Sequence, residues 1–251
     1  MSSPFTTDYC KHILSLVAGA STTYASIPST DSMTSFLTHL QTMSGATSDT
    51  ANPPVPFTVG LAALNSLWLS MASDGGADVL MASTAYGGSS EMTDLMVKHC
   101  NGSIRKHKFH VQGTNDMVES VKSALSGLRS MGGLKLSTVL CAEIPTNPDM
   151  KVPDLKSVVE LLQEHGKETG KSVHIIIDTT FAPASGVLAK IRDIDPSMSA
   201  MCFISMSKVR AGGAKRQLVL YSNISLPRFA RTLPSLLVAS LSSSLRVCPA
   251  V

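Results

Sequence analysis

The sequence predicts an α/β domain built on a mostly parallel sheet with helices on both faces, and three observations carry that expectation. From about residue 57 onward, segments of helical periodicity alternate with strand-like runs. The strand-like runs are short and apolar. The unusual polar residues gather in the loops that follow those strands, where loops and helix N-termini converge in open α/β sheets.

The elements follow in chain order. "GLAALNSLWLSMA" from Gly60 has helical periodicity, and "ADVLMAS" from Ala77 is a short apolar strand. "DMVESVKSALSGLRSM" places Met117, Val118, Val121, Leu125 and Leu128 on one helical side. "LSTVLCAE" from Leu136 reads as a strand. "DLKSVVELLQEHGKETG" reads as a helix, with Asp154 as its N-cap and Gly170 at its C-terminal end. "SVHIIID" from Ser172 and "AMCFISMS" from Ala200 complete the strands. The "RKHKFH" run, residues 105–110, reads as a solvated strand edge in which His107 and His110 carry no chemistry. Near the start, "KHILSLVAGAS" reads as an amphipathic first helix rather than a signal peptide, since Asp8 precedes it and the apolar run is brief.

Composition bounds the functional classes. A chain of 251 residues with 43% hydrophobic content buries a sizeable core. The formal net charge is +3, yet no acidic residue follows Asp195, while Lys208, Arg210, Lys215, Arg216, Arg228, Arg231 and Arg246 do. That basic tail nearly lacks the aromatic residues that stack bases, which argues against nucleic acid as a partner. No run approaches the roughly 20 apolar residues of a membrane span. Cys10, Cys100, Cys141, Cys202 and Cys248 are scattered without a CxxC pair, so neither a metal site nor a disulfide framework is expected, and reduced thiols point to a cytoplasmic protein. The expected organisation is an N-terminal arm and linker over 1–56, with "SGATSDTANPPVP" (44–56) as the linker-like part. A binding domain over 57–215 and a basic, acid-free tail over 216–251 follow.

Four loops after strands, "TAYGGSS", "EIPTNPD", "DTTFAPA" and "SKVRAGG", suggest one shared site. Their residue types match what the phosphate-bearing aldehyde cofactor pyridoxal 5′-phosphate requires. Lys208 supplies the amine for a Schiff base. Gly60 and Leu61, at a helix start, offer backbone N–H groups to a phosphate, with the Ser205 and Ser207 hydroxyls beside Lys208. Asp178, ending its strand, is the carboxylate that keeps a pyridine nitrogen protonated. Tyr86 is the ring that stacks on the cofactor face, with Gly87 and Gly88 letting the chain pass closely. Glu143 is given a structural or charge-pairing role. The methionines are core filler.

Taken together these residues resemble the trans-sulfuration enzymes, the pyridoxal-phosphate-dependent cystathionine synthases and lyases and methionine gamma-lyases. "VGLAAL" is similar to the family's Gly-Met-Ala-Ala turn, "AYGG" to its Tyr-Gly-Gly loop, and "EIPTNP" matches its Glu-x-Pro-x-Asn-Pro in full. "DTTFA" keeps Asp178 and Thr180 of the family's Asp-Asn-Thr-Phe-Ala, with Thr179 for the asparagine, and "SMSK" resembles Ser-x-Thr-Lys with Ser207 for the threonine. The resemblance spans roughly residues 20–213. It implies the large domain of the aspartate-aminotransferase-like, fold type I architecture, places Asn147 near the cofactor's 3-hydroxyl, and implies a homo-oligomer. Two departures stand out. Ser26, in "YASIPSTDS" after Tyr24, stands where the family has an arginine that grips a neighbouring subunit's phosphate, and most of the family's C-terminal domain is absent.

The expected function is therefore gamma or beta elimination or replacement on a small sulfur amino acid such as cystathionine, homocysteine or a methionine-like substrate, with Lys208 and Tyr86 as catalytic groups. The alternative is an incomplete or degenerate member that binds cofactor weakly or partners a full-length subunit. A nicotinamide-binding domain is excluded by the lack of Gly-x-Gly-x-x-Gly after a strand.

Overall fold

The computed structural model describes residues 30–46, 51–57, 60–111, 117–205 and 218–223. In chain order the elements are α1 (Thr30–Ser44), β1 (Ala51–Phe57), α2 (Gly60–Ser73), β2 (Ala77–Ala82), α3 (Gly87–His99), β3 (Ile104–Phe109) and α4 (Met117–Met131). They continue with β4 (Ser137–Glu143), α5 (Leu155–Thr169), β5 (Ser172–Asp178), α6 (Val187–Ile194), β6 (Ser199–Ser205) and β7 (Leu218–Asn223).

The seven strands form one sheet in the order β1-β7-β6-β5-β4-β2-β3. The pairs β3·β2, β2·β4, β4·β5 and β5·β6 are parallel, and β7 is antiparallel to both β6 and β1. Six strands thus point one way, which gathers their C-terminal ends along one edge of the sheet.

Alternation of side chains along each strand builds two cores. Leu80, Leu140, Ile175, Ile177, Ala200 and Cys202 face one side, where Leu40, Val121, Leu125, Val159, Leu162 and Ile191 from α1, α4, α5 and α6 cover them. Val79, Met81, Val139, Ile176 and Met201 face the other, under Leu64, Leu67, Trp68 and Met71 of α2 and Met96 of α3. The fold is a three-layer α/β/α sandwich, as the alternating pattern predicts. Trp68 is fully buried and its indole N–H donates to Thr93 Oγ1 at 3.1 Å, tying α2 to α3. Asp154 caps α5 by accepting from the backbone N–H groups of Lys156 and Ser157, and Gly170 closes it in a left-handed conformation (φ 65°) that glycine adopts without strain.

Three expectations need correction. Within the stretch read as linker-like (44–56), the part from Ala51 onward is no linker: Ala51–Phe57 is a strand paired with β7. Proline lacks the N–H that a central strand must donate, so "ANPPVPF" reads as irregular chain, but β1 lies at the sheet's edge, where proline is tolerated, and its register shifts between Asn52 and Val55. Second, β1 begins before the boundary expected at 57 and β7 lies beyond the one expected at 215, so the sheet begins before one and ends after the other. Third, "RKHKFH" is a solvated edge only at Lys108 and His110. Arg105 and His107 both bond to buried Asp78 on the neighbouring strand, and the Lys106 ammonium, almost wholly buried, donates to Ser90 O and Oγ and pairs with Asp94 on α3. The first helix expected over 11–21, with Tyr24 and Ser26, lies outside the described residues.

No helix among the described residues is long and apolar enough to cross a membrane, and none of their His, Cys, Asp and Glu side chains cluster to hold a metal ion.

Candidate active site

The C-terminal ends of β2, β4 and β5 carry three of the singled-out loops and β6 ends beside them at Ser205, while the fourth loop, "SKVRAGG", lies outside the described residues. Glu143 and Asp178 are the last residues of adjacent parallel strands and face one another in register. Asp178 in turn pairs with Phe203 on β6. Thr180 N–H donates to Asp178 Oδ1 at 2.9 Å, and Ser205 N–H donates to Thr180 Oγ1 at 2.9 Å, so a chain of hydrogen bonds runs from the β5 carboxylate to the end of β6. Thr179 is buried and turned away: its N–H and hydroxyl both donate to Phe203 O.

Tyr86 is the N-cap residue of α3, and its backbone N–H donates to Glu143 Oε1 in a short hydrogen bond. The residue is nonetheless 43% exposed. The ring folds back over Gly88. A Cβ added at Gly88 would lie 2.7 Å from Tyr86 Cε1 and 3.4 Å from Leu61 Cδ2, so this glycine is what lets the ring lie between the starts of α2 and α3. Gly87 meets nothing within 4 Å, so the close approach expected of both glycines belongs to Gly88 alone. Gly60 and Leu61 open α2 as predicted, with Leu61 among the exposed apolar residues.

Among the described residues no cationic side chain answers this edge. Burial pushes the Asp178 carboxyl above the usual range, with only the Thr180 bonds opposing it. Burial also raises Glu143, and the neighbouring Asp178 charge adds to this, against the Tyr86 N–H and the Asn147 amide, which favour the ionised form. Glu143 Oε2 is buried without a well-formed hydrogen bond among the described residues. The same two carboxylates, after burial itself, raise the Cys141 thiol between them and the core.

Sequence reasoning names Gly60, Leu61, Tyr86, Asn147, Asp178, Thr180, Ser205, Ser207 and Lys208. The structure brings Tyr86, Asn147, Asp178, Thr180 and Ser205 to one edge around Glu143, and places Leu61 beside Tyr86. Ser207 and Lys208 lie outside the described residues. Glu143 is the residue that sequence reasoning set aside. The available signal was positional: it ends "LSTVLCAE" as Asp178 ends "SVHIIID", so two carboxylates leave adjacent strands at the same level.

The family described as Cys/Met metabolism PLP-dependent enzyme matches residues 28–195. The chain belongs to that family. The matched span carries Tyr86, Glu143, Asn147 and Asp178 and ends before Ser205 and Lys208. A comparison with curated protein sequences gives no match. Among solved structures, the chain is similar to an aspartate aminotransferase from Trypanosoma cruzi, with 12% identity and a TM-score of 0.60 over 83% of this chain and 53% of that one. It is also similar to an alanine aminotransferase from Pyrococcus furiosus, with 13% identity and a TM-score of 0.54 over 86% and 51% respectively. At these identities the likeness establishes the fold, the aspartate-aminotransferase-like architecture. The chain spans about half the length of these relatives.

The residues present fit the cofactor of a Cys/Met metabolism PLP-dependent enzyme. Two carboxylates share one partly desolvated edge, one oxygen is orphaned, and no cationic side chain among the described residues pairs with either. A protonated ring nitrogen is the kind of partner such an edge lacks.

Proposed function

We propose that this chain acts as a pyridoxal-phosphate-dependent enzyme of sulfur amino-acid metabolism, eliminating or replacing groups at the gamma or beta carbon of cystathionine, homocysteine or a methionine-like substrate. The observation that carries the reading is Asp178. It is a carboxylate pushed toward neutrality by burial, held by Thr180, and standing at the C-terminal edge of a parallel sheet beside Glu143 and the Tyr86 loop.

When bound, the cofactor supplies an electron sink for carbanion chemistry. The protein's own parts divide the rest. Asp178 would hold the ring nitrogen's proton, and the exposed Tyr86 would stack on the heterocycle and serve as acid or base. Asn147 would hold the 3-hydroxyl, with Thr180 supporting Asp178. The N–H groups of Gly60 and Leu61, with the Ser205 and Ser207 hydroxyls, take the phosphate. Lys208 would supply the amine that tethers the cofactor and would move protons on the substrate. A homo-oligomer in the cytoplasm, without nucleic-acid or membrane partners, completes the proposal.

Adding pyridoxal phosphate to the purified chain should produce a visible absorbance band that Lys208→Ala abolishes, and a chain that stays colourless rejects the reading. Ser26, standing where the family has its phosphate-gripping arginine, favours a second reading in which the chain binds cofactor weakly and serves a full-length subunit. Turnover of cystathionine by this chain alone excludes that alternative.

A further inference from the structure

We propose that Glu143 is a positioning residue: it fixes the Tyr86 main chain to the end of β4 and thereby sets where the Tyr86 ring lies relative to Asp178. The inference rests on the cofactor reading above and goes beyond it by assigning a part to a residue outside the site list.

The geometry has three components. One Glu143 oxygen accepts the Tyr86 N–H, and that N–H belongs to the N-cap residue of α3, the point where the chain turns from the β2 exit into the helix. The Tyr86 carbonyl meanwhile accepts from Ser90 N–H at 3.0 Å, so the residue is gripped on both sides, by β4 through Glu143 and by the first turn of α3. The ring lies over Gly88 and beside Leu61, and the residue is among the exposed ones. The Asn147 amide lies against the same carboxylate, and Asp178 is the register partner of Glu143, so a single side chain contacts or adjoins three of the residues assigned to the cofactor.

A bare structural role predicts something different. If Glu143 only filled space, or only added charge, glutamine and alanine would differ in stability and in nothing specific to Tyr86. A positioning role requires an acceptor oxygen at this place and nothing more, which glutamine retains and alanine does not.

The test has two arms on the full chain. Without cofactor, hydrogen–deuterium exchange at the Tyr86–Gly88 amides should quicken about tenfold in Glu143→Ala, matching the loss of one hydrogen bond, and stay within about threefold of wild type in Glu143→Gln. Unchanged exchange in Glu143→Ala overturns the clamp. With pyridoxal phosphate followed by absorbance, Glu143→Ala should weaken binding about tenfold, Glu143→Gln should restore it, and Glu143→Ala should add little on a Tyr86→Ala background, because both act through one ring. Additive losses overturn the inference. A wild-type chain that binds no pyridoxal phosphate overturns the proposed function instead, and the exchange arm then judges the clamp alone.

Discussion

At the N-terminal ends of β2 and β3, the carboxylate of Asp78 is fully buried and fully answered. Arg105 binds it in bidentate fashion at 2.6 and 2.8 Å, His107 Nε2 lies 2.9 Å away, and the Lys135 N–H donates at 2.7 Å. Burial acts to raise its pKa, but the bonds from His107, Arg105 and Lys135 outweigh it and hold the carboxyl well below the usual range. At the opposite edge, Glu143 and Asp178 are drawn out of water next to each other, and burial wins: both are raised. The same sheet therefore carries a carboxylate that is finished as structure and a pair that, among the described residues, is not. Native proteins leave buried charges uncompensated where a ligand completes them, which is why perturbed carboxylates cluster at functional sites.

Mutations at the two edges should separate cleanly. The largest effect is expected at the satisfied end. Arg105→Met removes a partner and strands the buried Asp78 charge, which should cost about 3 kcal/mol or more in urea unfolding while leaving the opposite edge intact. Asp178→Asn should do the reverse. Chemical stability should hold or rise, because a desolvated charge is removed, while pyridoxal-phosphate affinity falls at least about tenfold with the loss of a charge-assisted bond. If Asp178→Asn unfolds the protein as Arg105→Met does, the contrast between the edges is false.

The pH dependence sharpens the same comparison. Asp78 has a folded pKa below its unfolded value, so it contributes stability above about pH 4 that is lost as acid titrates toward the folded pKa. Asp178 and Glu143 have raised folded pKa values, so they bind more protons folded than unfolded, and stability falls as pH rises from about 4 through their folded pKa values. Asp178→Asn should flatten that decline, as followed by urea midpoints between pH 4 and 8. Buried His174, which burial lowers to about 4, acts with the sign of Asp78. It is neutral when folded, so stability should drop by on the order of 3 kcal/mol as pH falls from above 6.5 to about 4. His174→Gln should remove that slope even if it lowers the overall level.

The smallest effects concern the two glycines that open α3. Gly88→Ala should displace the Tyr86 ring and weaken cofactor binding a few-fold at nearly unchanged stability, whereas Gly87→Ala, with open space around it, should leave binding unchanged. Equal losses from both would show that the Tyr86 ring's seat is immaterial.

The sequence exposed the parallel core strands and the helices whose apolar faces repeat at helical spacing, because β2, β4, β5 and β6 are buried on both faces and α4 and α5 carry one apolar stripe each. It hid what tertiary context decides. Ala51–Phe57 carries three prolines and becomes a strand only because β7 arrives to pair with it. The "RKHKFH" charges look solvated until β2 presents Asp78 at the register neighbour of Arg105. At the site, residue types alone singled out Tyr86 and Asp178. Glu143 was missed because the bond that reveals it, to the Tyr86 backbone, joins residues 57 apart and uses no side chain on the tyrosine.

The central claim is that the unanswered carboxylate edge receives a heterocycle tethered by Lys208. Reducing the pyridoxal-phosphate-treated chain with borohydride and mapping the modified lysine by peptide mass spectrometry tests it most directly. The account predicts modification on the peptide that carries Lys208, diminished by Asp178→Asn. Modification spread over surface lysines, or absent, would contradict it.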